Sequence, residues 1–172
     1  MKGPITEVDG VLSARHVLEY PYRRSVGPVL SRFFSGLRER KILGVRTAQG
    51  RVLVPPSEAD PETGAAVRDE FVEVGPSGVV KTWCWVARPR EKQPLAHPFG
   101  WALIQLDRAD TALLHAVDAG DAGRMRTGMR VRPRWRSETV GEIGDIACFE
   151  PERSEGDAKA RTSAASPAES KR

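Results

Sequence analysis

Between Pro28 and Gly44, apolar side chains recur at steps of three and four, at Val29, Leu30, Phe33, Phe34 and Leu37, with Arg32, Arg38, Glu39, Arg40 and Lys41 between or after them. That spacing gathers the apolar positions into one stripe and predicts an amphipathic helix of about three turns. Upstream, Tyr20-Pro-Tyr-Arg-Arg-Ser-Val-Gly-Pro28 carries two prolines and a glycine, which suits an extended arm better than a continuing helix. From Ile42 onward the pattern changes to short β-type runs separated by turn residues. The expected strands are 51–54, 71–74, 79–86, 101–106, 112–117, 129–136 and 143–149. Gly75-Pro-Ser-Gly78 reads as a tight turn and Asp107-Arg-Ala-Asp110 as a short hairpin loop. The run after Gly64 fits a five-stranded Greek-key barrel of the OB-fold kind, with one strand to spare. The segment 88–98, with three prolines, reads as a mobile loop at the barrel mouth. Residues 151–172 hold no Val, Ile, Leu, Met, Phe, Tyr, Trp or Cys, so they cannot offset the entropy of ordering and read as a disordered tail.

Composition narrows the class. The chain has 172 residues, 40% of them hydrophobic, which suits one domain with one core. No stretch approaches the apolar length of a membrane helix, and the opening Met1-Lys-Gly-Pro-Ile lacks the apolar region of a secretory signal, so a cytoplasmic protein with no membrane partner is expected. Two cysteines, Cys84 and Cys148, are too few for a disulfide scaffold or a four-cysteine zinc module.

In Met129-Arg-Val-Arg-Pro-Arg-Trp-Arg136, cations occupy every second position, so a strand puts Arg130, Arg132, Arg134 and Arg136 on one face. With Arg124 and Arg126 upstream, this is a candidate site for separated phosphates. The plainer reading is a solvated outer face that discourages edge-to-edge pairing, and Pro133 suits an edge position. Trp83 and Trp85 stand two apart and share a face, with Lys81 on the same side and Cys84 opposite as a small core residue. Such rings can stack bases or cover a partner, or they can pack beneath the long loop and the amino-terminal helix. His16, His97 and His115 lie in different elements with no ligand spacing around them, so no metal site is expected. No nucleophile elbow, phosphate-binding loop or paired catalytic carboxylates appear, and the expectation is that the chain has no catalytic site of its own.

The order helix, Gly44, Gly50-Arg-Val-Leu-Val-Pro-Pro56, Asp60-Pro-Glu-Thr-Gly64 and then a barrel resembles the OB-fold family of domain of unknown function thirty-five, whose members carry a rubredoxin-like zinc ribbon ahead of the barrel. Leu37-Arg-Glu-Arg-Lys-Ile-Leu-Gly44 is similar to that family's helix end. Phe71-Val-Glu-Val-Gly-Pro-Ser-Gly-Val-Val-Lys-Thr-Trp83 is similar to the strand, turn and strand that open its barrel, and Arg126-Thr-Gly-Met-Arg-Val131 to a later strand. The departure is in the zinc knuckles. Asp60 and Thr63 stand where cysteines would, and Arg46-Thr-Ala-Gln-Gly50 has none. The resemblance is therefore to a zinc-less branch, and it implies a mainly β chain: arm and amphipathic helix over 1–43, a degenerate metal-free ribbon hairpin over 44–66, an OB-fold barrel over 67–150, and the tail 151–172. Asp60 is expected to nucleate its own turn in place of a metal.

What the resemblance implies for function is an accessory subunit of a thiolase-like enzyme, a lipid-transfer protein, aldolase or thiolase acting on acyl-CoA in steroid or other lipid side-chain degradation. On that reading Phe33, Phe34, Leu37, Trp83 and Trp85 are candidates for partner contact. Arg124, Arg126, Arg130, Arg132 and Arg134 are candidates for contact with the phosphates of the partner's acyl-CoA, and no cofactor or zinc is held tightly. The alternative is a single-stranded nucleic-acid binder using the tryptophans and the arginine ladder. The formal charge of +4, diluted by 23 acids, weighs against it. A stand-alone enzyme built on Cys84 with His97 or His115 is a distant third.

Overall fold

The computed structural model describes residues 5–14 and 25–152. The helix α1 (Gly27–Arg38) forms as the periodicity predicts. Pro28 sits in its first turn, and the Glu58 side chain lies against Gly27 at its start. It ends where Arg40 turns left-handed (φ 60°) and the Lys41 N–H donates back to the Gly36 carbonyl at 2.9 Å. Two strands precede it, β1 (Ile5–Val8) and β2 (Val11–Ala14), paired as an antiparallel hairpin about Asp9-Gly10. Neither was expected, although an Asp-Gly pair between apolar residues is a strong hairpin signal.

After α1 come β3 (Ile42–Arg46), β4 (Val52–Leu53) and β5 (Phe71–Val74), an antiparallel sheet in the order β4-β3-β5. The spare strand 71–74 therefore belongs to this sheet and not to the barrel. The barrel starts at Gly78: β6 (Gly78–Val86), β7 (Phe99–Leu106), β8 (Leu113–Val117), β9 (Arg130–Trp135) and β10 (Ile146–Pro151) close in the order β6-β7-β8-β10-β9. Every pair is antiparallel except β8 with β10, the strand order and pairing directions of an OB-fold. Residues 143–145 of the expected last strand form a 3-10 turn, and the strand runs on through Pro151, past the expected boundary. Of the expected tail, 153–172 lies outside the described residues, as does most of the arm.

A single core runs through all three layers. Phe33 and Leu37 of the helix, Ile42, Val52, Val54 and Val74 of the small sheet, and Val80, Ile104, Val131 and Phe149 of the barrel belong to one buried cluster. A smaller cluster on the outer barrel wall joins Phe99, Ala116 and Cys148 under Leu95, with Val86 and Trp101 packed against it. The loop 88–98 is thus laid over that wall through Leu95 and through His97, whose Nε2 lies 3.2 Å from Asp118. It is not an open flap.

At Gly78 a Cβ would meet the Gln105 carbonyl at 2.7 Å and the Leu106 backbone at 3.0 Å, whereas at Gly100 it would meet the end of Met125 at 2.7 Å. Backbone cannot yield and a methionine can. Gly78→Ala is expected to lower stability by about 1 to 3 kcal/mol and Gly100→Ala by less than about 1 kcal/mol in urea titrations.

The turn at 60–64 closes as expected. The Glu62 N–H donates to Asp60 Oδ1 at 2.9 Å, the Gly64 N–H to the Asp60 carbonyl at 2.8 Å, and Arg51 forms an ion pair with Glu62 across the hairpin. The donor set does not suit the zinc ion of the ribbons that this segment of the sequence resembles. One Asp60 oxygen is already used in the turn, the partner position holds Thr63, and no group of three or more His, Cys, Asp or Glu side chains converges among the described residues.

Candidate partner and anion surfaces

The helix meets the barrel along the segment 136–145 between β9 and β10. Arg38 donates through Nε and Nη2 to the Val140 carbonyl (3.3 and 3.0 Å), and Arg40 donates to the carbonyls of Arg136 and Ser137 (3.2 and 2.9 Å). Thr139 returns a bond to the Arg38 carbonyl at 2.7 Å. The segment is itself tied around Asp145, whose buried carboxylate accepts the N–H groups of Val140, Gly141 and Glu142 at 2.9, 2.7 and 3.2 Å. Burial alone pushes this carboxyl up, but the three donated bonds, with Arg136 nearby, together hold it below the ordinary carboxylate range.

This seam leaves a groove of about 520 Å³ lined by Val26, Phe34, Arg38 and Ile143. Phe34 is half-buried at its edge and available for contact. Phe33 and Leu37 are not, being 2% and 0% exposed inside the chain's own core, so their assignment to a partner is corrected. The amphipathic stripe that singled out all three cannot tell a face buried internally from one buried by a partner.

The arginine ladder is an ion-pair ladder. Arg130 makes a fork to both oxygens of Asp107 at 2.7 Å and reaches Glu152 at 3.1 Å. Arg132 pairs with Glu150 at 2.9 Å, and Arg134 with Asp118 at 3.4 Å. The pairing holds the Asp107 carboxyl below its usual range and raises Arg130 further; Glu152 is lowered by Ser77 and Arg130 together. Three guanidinium groups thus face four carboxylates, which leaves no surplus positive charge for a phosphate chain. Arg124 and Arg126, exposed on the loop between β8 and β9, have no carboxylate within 4 Å among the described residues. Glu150 on β10 and Glu152 just past its end stand two apart, the same step as the arginines on β9, which is the sequence signal for this pairing.

Trp83 and Trp85 share a face, but a register shift between Val80 and Thr82 sends that face inward. Val80 lies opposite Ile104 before the shift, and Trp83 opposite buried Ala102 after it, so the indoles pack half-buried on the barrel core while Cys84 is exposed. The expected placement of Cys84 in the core is therefore reversed by one extra residue. The inward turn of the rings and the neutral ladder remove both features on which nucleic-acid binding would rest.

His115 faces inward beside Phe149, its ring 5.4 Å from the phenyl, with Nδ1 accepting the Ala116 N–H at 2.9 Å. Burial pushes its pKa down, and backbone contacts at Ala116 and Ile143 oppose this without reversing it. A histidine whose pKa is lowered by folding contributes stability that is complete above about 6.5 and is lost as pH falls below it toward the folded value. The slope of unfolding free energy against pH below about 6.5 should accordingly shrink in His115→Gln, as followed by urea titration at several pH values. Cys148 is buried, its thiol pushed up to about 11 mainly by desolvation, so it is a packing residue and not a thiolate nucleophile.

No helix among the described residues is long and apolar enough to cross a membrane. Residues 71–136, spanning β5 to β9, match the family model of the ChsH2 C-terminal OB-fold domain. Among solved structures, the chain is similar to a protein of unknown function from the DUF35 family of Sulfolobus solfataricus, at 21% identity and a TM-score of 0.56 over 74% of this chain and 85% of that one. It is also similar to the Ltp2-ChsH2(DUF35) aldolase, at 19% identity and a TM-score of 0.55 over 75% of this chain and 98% of the other. No curated protein matches the sequence. At such identities the solved structures speak for the fold, and the family match speaks for the barrel. Taken with the closed five-stranded topology, they show an OB-fold whose residues 71–136 are similar to the ChsH2 C-terminal OB-fold domain.

Proposed function

We propose that this chain is a non-catalytic accessory subunit of a thiolase-like acyl-CoA enzyme, of the lipid-transfer aldolase kind, working in the cytoplasm on steroid or related lipid side chains. The observation that carries the proposal is the match of residues 71–136 to the ChsH2 barrel, together with the likeness of three quarters of the chain to the Ltp2-ChsH2(DUF35) aldolase structure. The chain's own inventory agrees with an assisting role. Its buried histidine and buried cysteine serve packing, and its arginine ladder is neutralised. What it offers a partner is surface: the groove beside Phe34 and the exposed cations Arg124 and Arg126, which have no ion-pair partner among the described residues.

Co-expression with the thiolase-like protein that co-elutes from the native source tests this. The expected result is one complex on sizing, with acyl-CoA cleavage by the complex and none by this chain alone. Separate elution of the two proteins, or turnover by the isolated chain, would sink the proposal. Within the complex, Arg124 and Arg126 are assigned to the CoA phosphates. Replacing both by alanine should raise KM for acyl-CoA about tenfold or more, the size expected of a lost charge-assisted hydrogen bond, with kcat nearly unchanged. Arg132→Ala, which breaks an internal pair, should leave KM within about twofold.

A further inference from the structure

The β1–β2 hairpin is well specified and poorly buried. Asp9 and Gly10 both have positive φ (53° and 76°), the type I′ geometry that matches the twist of its strands. Yet Ile5, Val8, Val11 and Leu12 are 61 to 73% exposed. The register puts Ile5, Leu12 and Ala14 on one face with Glu7, and Val8 and Val11 on the other with Thr6 and Ser13, so both faces carry apolar groups. No third strand pairs with either edge among the described residues. In a two-residue hairpin the pair flanking the turn, Val8 and Val11, is hydrogen-bonded, so the N–H and C=O groups of Ile5, Glu7, Leu12 and Ala14 point outward. Residues 5–14 contain no Lys, Arg or Pro, the residues with which strand edges are usually guarded against pairing. A two-stranded ribbon of this kind is at best marginally stable alone in water.

We infer that this hairpin is a docking arm that adds edge-on to an exposed β-strand of the catalytic partner, in a slot that covers both its faces and is rimmed by basic residues. The inference rests on the proposed accessory role and names the contact through which it is exercised. A second copy of the chain is a poorer occupant for two reasons. Pairing two hairpins side by side would leave both apolar faces wet, and each hairpin carries Glu7 and Asp9 with no cation, so two copies repel. The chain's own barrel is closed and offers no edge, the outer side of β4 is taken up by Asp110 and Thr111, and the hairpin pairs with neither edge strand of the small sheet.

Hydrogen exchange on the full chain, free and in complex with the co-eluting thiolase-like protein, provides the test. The outward amides of Glu7 on β1 and Leu12 on β2 should both exchange quickly in the free chain, and in the complex the one on the docked edge should slow at least a hundredfold, because an added strand takes up its hydrogen bond. Ile5→Asp with Leu12→Asp should weaken complex formation at least tenfold while leaving the melting temperature of the free chain unchanged. If the wild-type complex forms but these amides stay unprotected and the double variant binds as well, the docking arm is wrong while the accessory role stands. If no complex forms at all, the accessory role falls and takes the docking arm with it. Protection already present in the free, self-associated chain would make a second copy the occupant and overturn the inference.

Discussion

Asp145→Ala is expected to lower the unfolding free energy by on the order of 3 kcal/mol, because it strips the acceptor from three backbone N–H groups at once. The residues that donate, Val140 and Glu142 among them, are exposed, so water recovers part of the loss and keeps the cost below that of three fully buried orphans. The seam above should loosen with it, since Arg38 and Thr139 hold the helix through this same segment. Asp145→Asn keeps the volume but points an amide N–H₂ at N–H donors, and it should recover only part of the stability. The two variants should also lose a pH signature. The wild-type carboxyl is held below its unfolded value, so its contribution is complete above about pH 4 and disappears as pH falls through the folded pKa. Urea titrations between about pH 5 and 2 should show a shallower acid loss in both variants than in the wild type; equal slopes would mean that Asp145 is not the group responsible.

Phe33→Ala should be at least as damaging, about 3 to 5 kcal/mol, because the ring is 2% exposed at the junction of helix, small sheet and barrel and its removal leaves a cavity no neighbour can fill. Phe34→Ala, beside it in sequence but half-exposed at the groove, should cost about 1 kcal/mol or less. The pair separates the two uses of one amphipathic stripe. Phe34→Ala should act on association with the partner while leaving the melt nearly intact, whereas Phe33→Ala should act on the melt. Equal destabilisation by both would mean that the helix is seated differently from the arrangement described.

Much of the fold was legible because it is written in local periodicity. The three- and four-residue steps of α1, the positions of β7 and β8 and the alternation of β9 survive in the structure nearly unshifted. Legibility failed where the third dimension enters. The extra residue near Lys81 turns Trp83 and Trp85 from one side of the barrel wall to the other, and nothing in a strict two-residue alternation marks where such a shift falls. Strand 71–74 has ordinary β character, and only its pairing with 42–46, a contact across the ribbon, removes it from the barrel. The arginine ladder was visible as charge, but its meaning depended on Asp107 and Asp118, which follow the ends of β7 and β8. Asp145 looked like one more surface acid, since a carboxylate that organises a loop through backbone donors has no composition of its own.

The shared core also bears on how this protein can come apart. Side chains from the helix and the small sheet interlock with those of the barrel, so the segment matched by the family model lacks part of the core it packs with, and β10 as well. Helix, ribbon and barrel should melt in one cooperative step, and loss of the first seventy residues would strand an oily barrel end in water.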